Sequence, residues 1–407
     1  GEVYITNFIG DITTNNQITS ISGATFTHTT NNNIGIISNS DLGTLSNNKV
    51  NEISDSAIDS MSGNTLDKIS YQISTTIDIN KGGVIESNTS NVISRNTITE
   101  ISGNTASSII CNISCQIKTN DISGDITYND INNIESNVLV GDISYNNGFE
   151  ILSNFGTGSI IDNNTKSITS NTIGGDINSN TSRLIATNST ATMSNNNVDE
   201  ISLNTEGIIT NNKGIIISQN DVDLINSNIS DIILSNATAS NISKNISYEI
   251  SYNTGDLINN KVLDIKYNSG IVNNNIGSTI SGNTSMITNN KVDRIETNTT
   301  GDINNNIGET ILVNTGKSGN GVLSFNNVSN IENNSLVATI SNNRGKSIRL
   351  NSGQSIENNE VTEILSNSNY YIQNNKSELI QSNLDTALNG GVIESNHVSN
   401  ITSNSNF

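Results

Sequence analysis

About every eight residues along this chain, an Ile is followed three places later by an Asn. The clearest run pairs Ile85 with Asn88, Ile93 with Asn96, Ile101 with Asn104, Ile109 with Asn112 and Ile117 with Asn120. The step is then sometimes nine, as at Ile126 with Asn129 and Ile143 with Asn146. The frame is still readable at Ile401 and Asn404. A fixed short period is the mark of stacked units that bury one thin core together. Composition agrees, because 32% hydrophobic and 4% aromatic residues are poor material for a thick core. Low hydrophobicity with a net charge of −20 would otherwise suggest disorder. The absence of Pro and the strict apolar period argue for order instead.

The octad is filled with Ile, Val, Thr, Ser, Asn and Gly, which form strands and turns. An Asn at every second turn would break a helix. The expected fold is all-β: a single-chain parallel β-solenoid of octapeptide units, one elongated domain over residues 1–407. Two octads per coil, about 16–17 residues, is favoured because two facing Ile stacks suffice as a core; four octads, about 33, is the alternative. That second period is visible as an extra apolar residue three before the key Ile, at Ile34, Leu66, Ile98, Ile131, Val198, Val262, Val292, Val328, Val361 and Val398. Strict in–out alternation fails between such a pair, so a bend is expected there. Asn88, Asn96, Asn104, Asn112 and Asn120 are each expected at a corner, where Asn tolerates left-handed conformations and its amide can bond to identical Asn side chains above and below. Residues 1–33, where Thr25–Asn33 blurs the frame, and 388–407 read as less regular ends or weak caps. Thr315–Gly321 reads as a protruding loop.

With 38 acidic against 18 basic residues the chain is unsuited to a phosphate backbone, so no nucleic-acid partner is expected. The longest apolar runs, such as Gly214–Ile217, are too short to span a bilayer. Residue 1 is Gly without a charged and apolar leader, which reads as a mature form or a fragment.

The spaced Ile-x-x-Asn units resemble the Asn-laddered coils of parallel β-helix and β-solenoid surface proteins, a class that includes adhesins, passenger domains and phage fibres. The octad hierarchy is also similar in kind to that of bacterial ice-nucleation proteins, although their regular Thr-x-Thr rows are missing here. The resemblance implies a structural or adhesive role outside the cell or on a virion. Copies are expected to stack end to end into a filament. A receptor- or glycan-binding rod is the alternative, followed by an ice-binding surface and a polysaccharide-degrading β-helix.

Little in the sequence suggests catalysis. Gly316-Lys317-Ser318 and Gly345-Lys346-Ser347 look like the end of a P-loop, but Ile311 and Ile340 stand where its first Gly belongs. His28 and His397, the two histidines, lie at opposite ends of the chain, which argues against a His-based triad or metal site. Cys111 and Cys115 are too close in sequence for an easy disulfide, so free or buried thiols are expected. Asp125, Asp142 and Asp176 each precede a key Ile. In a 17-residue coil the first two would stack one coil apart, where Ca²⁺ could relieve their repulsion. Otherwise they point into water.

Overall fold

The computed structural model describes residues 2–238, 240–316, 321–335, 337–384 and 391–405, and among these there is no helix. The chain is a parallel β-solenoid. It divides into two compact units, Gly1–Gly207 and Ile208–Phe407, and the same coil builds each.

Each coil consists of two octads, one on each of two sheets. In the first sheet of the N-terminal unit, Thr97–Ser102 pairs in parallel with Lys81–Glu86 on one side and Ile113–Lys118 on the other. In the second sheet Thr89–Ser94 lies between Ile73–Asp78 and Thr105–Ile110. The C-terminal unit repeats the plan: Lys261–Lys266 lies between Ile246–Ser251 and Ile276–Ser281 in its first sheet. Its second sheet places Asp256–Ile258 between Asn241–Ser243 and Val272–Asn273.

The octad has a fixed use for each position. Ile85, Ile93, Ile101, Ile109 and Ile117, all at position five, are fully buried. Each such side chain contributes about 1.5–3 kcal/mol by burial. Position eight holds Asn88, Asn96, Asn104, Asn112 and Asn120, buried as deeply as the Ile. Positions one and three face solvent. Position two is buried as well, for example Ile98 at 5% exposure. Two inward residues three apart require an interrupted alternation, and the ladder is interrupted between them: Lys81, Gly82, Val84, Ile85 and Glu86 have partners in the next strand, whereas Gly83 does not.

The Asn ladders link coil to coil. Asn104 Oδ1 accepts from the backbone N–H and the Nδ2 of Asn88, both at 2.9 Å. Asn104 Nδ2 in turn reaches Asn120 Oδ1 at 3.0 Å and the Ile85 and Ser102 carbonyls at 3.1 and 2.9 Å. At the opposite corner Asn96 does the same: its backbone N–H and its Nδ2 both donate to Asn112 Oδ1 at 3.0 Å, and Nδ2 also reaches the Ile77 carbonyl at 2.9 Å. A buried amide is thus fully satisfied, which removes the cost of burying it. The ladder partner is sixteen residues on for Asn88 and Asn96, seventeen for Asn112 and fifteen for Asn260. The two-octad coil is therefore the repeat.

Several expectations are corrected. The left-handed residue is not Asn88, Asn96, Asn104, Asn112 or Asn120 but the one before each: Ser87, Arg95, Gly103, Cys111 and Thr119 have φ of 55°, 53°, 62°, 57° and 53°. That residue turns the corner, and the Asn after it aims its amide inward. Ser102, on the strand between two such corners, is 8% exposed and donates to Glu100 Oε1 at 2.7 Å. Thr25–Asn33 is no cap. Thr25–Thr30 is a strand paired on both sides, with a register shift against Ile9–Thr13, and Phe26 fills position two and Thr29 position five, both buried. Of the expected loop at Thr315–Gly321, Thr315–Gly316 pairs with Thr299–Thr300 and Gly321 begins a strand; residues 317–320 lie outside the described residues, as do 385–390, 406 and 407 of the expected irregular end.

Candidate functional site

The two sheets differ in how strictly their length is kept. Octads that build the first sheet are always eight residues from corner to corner, as in Asn96–Asn104, Asn180–Asn188, Asn260–Asn268 and Asn375–Asn383. Those of the second sheet vary: seven from Asn253 to Asn260, nine from Asn120 to Asn129, twelve from Asn314 to Asn326. Where a residue is added, the second-sheet strand splits, as into Asp121–Ile122 and Ile126–Thr127. In each unit, variation in coil length is thus absorbed by the second-sheet octads.

On the constant side, positions one and three form two ridges flanking a groove floored by position two. From Val262 onward the floor alternates without error: Val262, Gly277, Val292, Gly308, Val328, Gly345, Val361, Ser377, Val398. Close packing explains the alternation. A Cβ on Gly308 would lie 1.8 Å from the Val292 carbonyl oxygen, and one on Gly82 would lie 1.5 Å from that of Leu66. At Ser247, which stands where Gly does in other coils, the hydroxyl bonds within its own strand, to the Glu249 carbonyl at 2.9 Å, whereas Ser377 Oγ is buried without a partner. The 33-residue period is therefore a two-coil alternation of large and small floor residues on one sheet.

Shallow grooves lie on this face. One of about 460 Å³ runs from Lys81 to Asn132 in the N-terminal unit. In the C-terminal unit, one of about 390 Å³ is bordered by Ile246, Tyr248, Leu263 and Ile276, and one of about 820 Å³ by Arg344, Glu360, Lys376 and His397. These volumes lie in or near the range of small-ligand sites. Arg344 Nη2 and Lys376 Nζ grip opposite oxygens of Glu360 at 3.0 and 2.7 Å. Lys376 foremost, with Arg344 behind it, holds the Glu360 carboxyl below its ordinary range.

Charge is divided in the same way. Lys49, Lys68, Lys81, Lys118 and Arg183 lie on first-sheet strands of the N-terminal unit, and Lys261, Lys266, Lys291, Arg294, Arg344, Arg349 and Lys376 on those of the C-terminal unit. Ion pairs such as Lys68–Glu86, Lys118–Glu100 and Lys266–Glu249 cross from coil to coil there. The second sheet carries Asp41, Asp59, Asp78 and Asp121 on its strands, and Arg95 at its corner pairs with Asp78.

Asp125, Asp142 and Asp176 also belong to the second sheet, where the carboxylates of the first two serve the backbone. Asp125 Oδ1 accepts the Asp142 N–H at 2.8 Å, and Asp142 Oδ1 accepts the Ser159 N–H at 2.8 Å. Asp125 and Asp142 therefore stand one coil apart, as the spacing implies, while Ser159 separates Asp142 from Asp176, whose N–H reaches Ser159 Oγ at 3.1 Å. Asp256 repeats the bond in the C-terminal unit, accepting the Ile271 N–H at 2.8 Å. Sequence reasoning missed this role; the recurring Gly-Asp before a key apolar residue is its signal. Among the described residues, no group of three or more His, Cys, Asp or Glu side chains could hold a metal ion. Cys111 and Cys115 are free and exposed, not buried. Gly345–Ser347 lies inside the strand Arg344–Arg349 and cannot form a phosphate loop.

These features define a class, the parallel β-solenoid with paired Asn ladders and one length-invariant face. No family model, curated protein or solved structure matches the chain. No helix among the described residues is long and apolar enough to cross a membrane.

Proposed function

We propose that this chain is a non-catalytic structural or adhesive solenoid, acting outside the cell or on a virion, whose first sheet is its working face. The observation that carries this reading is the constancy of the first-sheet octad beside a second sheet that varies freely. Both sheets use the same Ile core and the same corners, so folding alone does not single out one of them. A surface that meets a partner coil after coil must keep its spacing, and single insertions would throw its ridges out of line. Axial stacking of copies belongs to the same proposal, since strand-to-strand backbone bonding is the chain's own mode of growth. A glycan- or receptor-binding role is the second reading, favoured by the charged groove along Arg344, Glu360, Lys376 and His397.

The test is a pair of single-Gly insertions, one between Thr362 and Glu363 in the first sheet and one between Gln354 and Ser355 in the second. Each is assayed for binding to a glycan array and to cell surfaces, and for filaments by electron microscopy. Loss of binding or assembly with the first insertion alone supports the proposal. Equal loss from both, in folded proteins, would sink it.

A further inference from the structure

The central part of the C-terminal unit's first sheet exposes an apolar strip. Ile246, Tyr248, Leu263, Ile276 and Ile307 are 49%, 67%, 53%, 54% and 52% exposed. Their order is regular. On the position-one ridge, Ile246, Ile276 and Ile307 alternate with Lys261 and Lys291. The floor beside each Ile is small (Ser247, Gly277, Gly308), and the floor beside each Lys is Val. On the position-one ridge a tall apolar residue thus stands beside a low floor in its own coil. Lys261 and Lys291 form no ion pair among the described residues, unlike Lys266 and Arg294 on the same strands.

Such a surface complements itself. We infer that it is a docking face for a second copy of this chain, the two copies related by a two-fold axis parallel to the direction in which their coils stack. That operation places position one of each coil over position two of the matching coil of the partner. Ile276 then enters the hollow over Gly277 of the partner subunit, and Ile307 the hollow over Gly308 of the partner subunit. Ile246 packs against Tyr248 of the partner subunit, and the Lys261 stem lies along Leu263 of the partner subunit. Lys291 crosses the low ridge to Asp293 of the partner subunit, a carboxylate oriented by Ser278 Oγ at 2.9 Å. The interface is isologous, so each contact occurs twice.

Charge favours this face over any other for a chain carrying −20. Repulsion between copies is lowest where Lys261, Lys266, Lys291 and Arg294 offset the acids, and highest between two second sheets. The strip spans five coils, roughly 24 Å at about 4.8 Å per coil. That is small beside a standard interface of about 800 Å² per partner, so the association is weak and concentration-dependent.

Sedimentation velocity of the full chain across a wide concentration range, in moderate salt, tests the inference. A monomer–dimer equilibrium is expected, with Ile276→Asp weakening it about tenfold or more and Lys291→Glu by several-fold. The double change Lys291→Glu with Asp293→Lys should restore association to within about threefold of the parent, because it only exchanges the two ends of the ion pair. All these residues are exposed, and circular dichroism melts check that each variant remains folded. A chain that is monomeric at every concentration overturns the inference. So does dimerisation indifferent to Ile276→Asp, or a double variant no better than Lys291→Glu alone. Axial filaments would sediment as an open-ended series and would not respond to the charge exchange, which separates this result from the stacking proposed above.

Discussion

The two sheets of each unit share a core and a pair of corners, yet they are held to different rules. The first keeps eight residues in every octad and carries most of the lysines and arginines; the second stretches and shrinks and is predominantly acidic. Since the Ile and Asn stacks continue through coils of fifteen, sixteen, seventeen and twenty residues, coil length is not what holds the solenoid together. Corners do that. The strand between corners can be remodelled wherever nothing outside depends on its spacing.

The largest expected effect comes from breaking a corner in the regular region. Asn104→Ala deletes the acceptor for both donors of Asn88 and the donor to the Asn120 side chain. Leaving buried donors unsatisfied should cost about 2–4 kcal/mol in chemical denaturation. Asn112 ends a second-sheet strand and makes the same set of bonds, accepting from Asn96 and donating to Asn129. It should cost as much when changed to Ala. A markedly cheaper Asn112→Ala would mean that tolerance of the second sheet extends to its corner, and that corners are not the common frame.

A smaller effect in the opposite direction is expected where the corner is improvised. In the first coils the corner after the first sheet is held by Ser40, Ser56 and Gln72 before the Asn ladder begins at Asn88. Ser40 N–H still reaches Ser56 Oγ at 3.2 Å and Gln72 N–H reaches Asn88 Oδ1 at 2.9 Å, but Gln72 Oε1 is buried without a partner. The extra methylene of Gln puts its carbonyl out of line with the stack. Gln72→Asn should therefore stabilise the chain by about 1–2 kcal/mol. An unchanged midpoint of unfolding would show that the first coils do not limit stability.

The legibility of this molecule follows the same division. The fold, the coil of two octads and the ladder residues can be read from Ile85 to Asn120 because each inward position repeats one residue type, and stacking requires identity. The left-handed corner residue cannot be read that way: Ser87, Arg95, Cys111 and Thr119 share a backbone conformation but no side chain. The second period is visible in sequence as Leu66, Ile98 and Ile131, but its cause lies in the small residues between them, which show no apolar signal. The proposed working face is hidden for a further reason. Nothing in an octad says which sheet it joins, so constant and variable octads, and the division of charge between them, separate only after the coil is closed.

The smallest expected effect is electrostatic and belongs to the first sheet. Ser102, Glu100 and Lys118 form a chain of contacts, with Ser102 Oγ 2.7 Å and Lys118 Nζ 3.1 Å from the Glu100 carboxylate. Ser251, Glu249 and Lys266 repeat it in the C-terminal unit at 2.7 and 3.0 Å. In both, the Ser hydroxyl foremost and the Lys after it hold the carboxyl below its ordinary range, against partial burial. A carboxylate depressed in the folded state adds stability that is complete above its unfolded pKa and is lost as pH falls through the folded value. Ser102→Ala and Ser251→Ala remove the foremost contact, and each should lower stability near neutral pH by about 0.5 kcal/mol, discounted for the partial exposure of the Glu. The gap from the parent should narrow as the pH falls through the carboxylate range, because protonated Glu no longer draws on the charge-assisted bond. Melting temperatures measured from neutral to acid pH check this. A gap that stays constant would assign the buried Ser to packing alone, and would leave the first sheet distinguished by its spacing and its cations, without a stabilising role for its charge network.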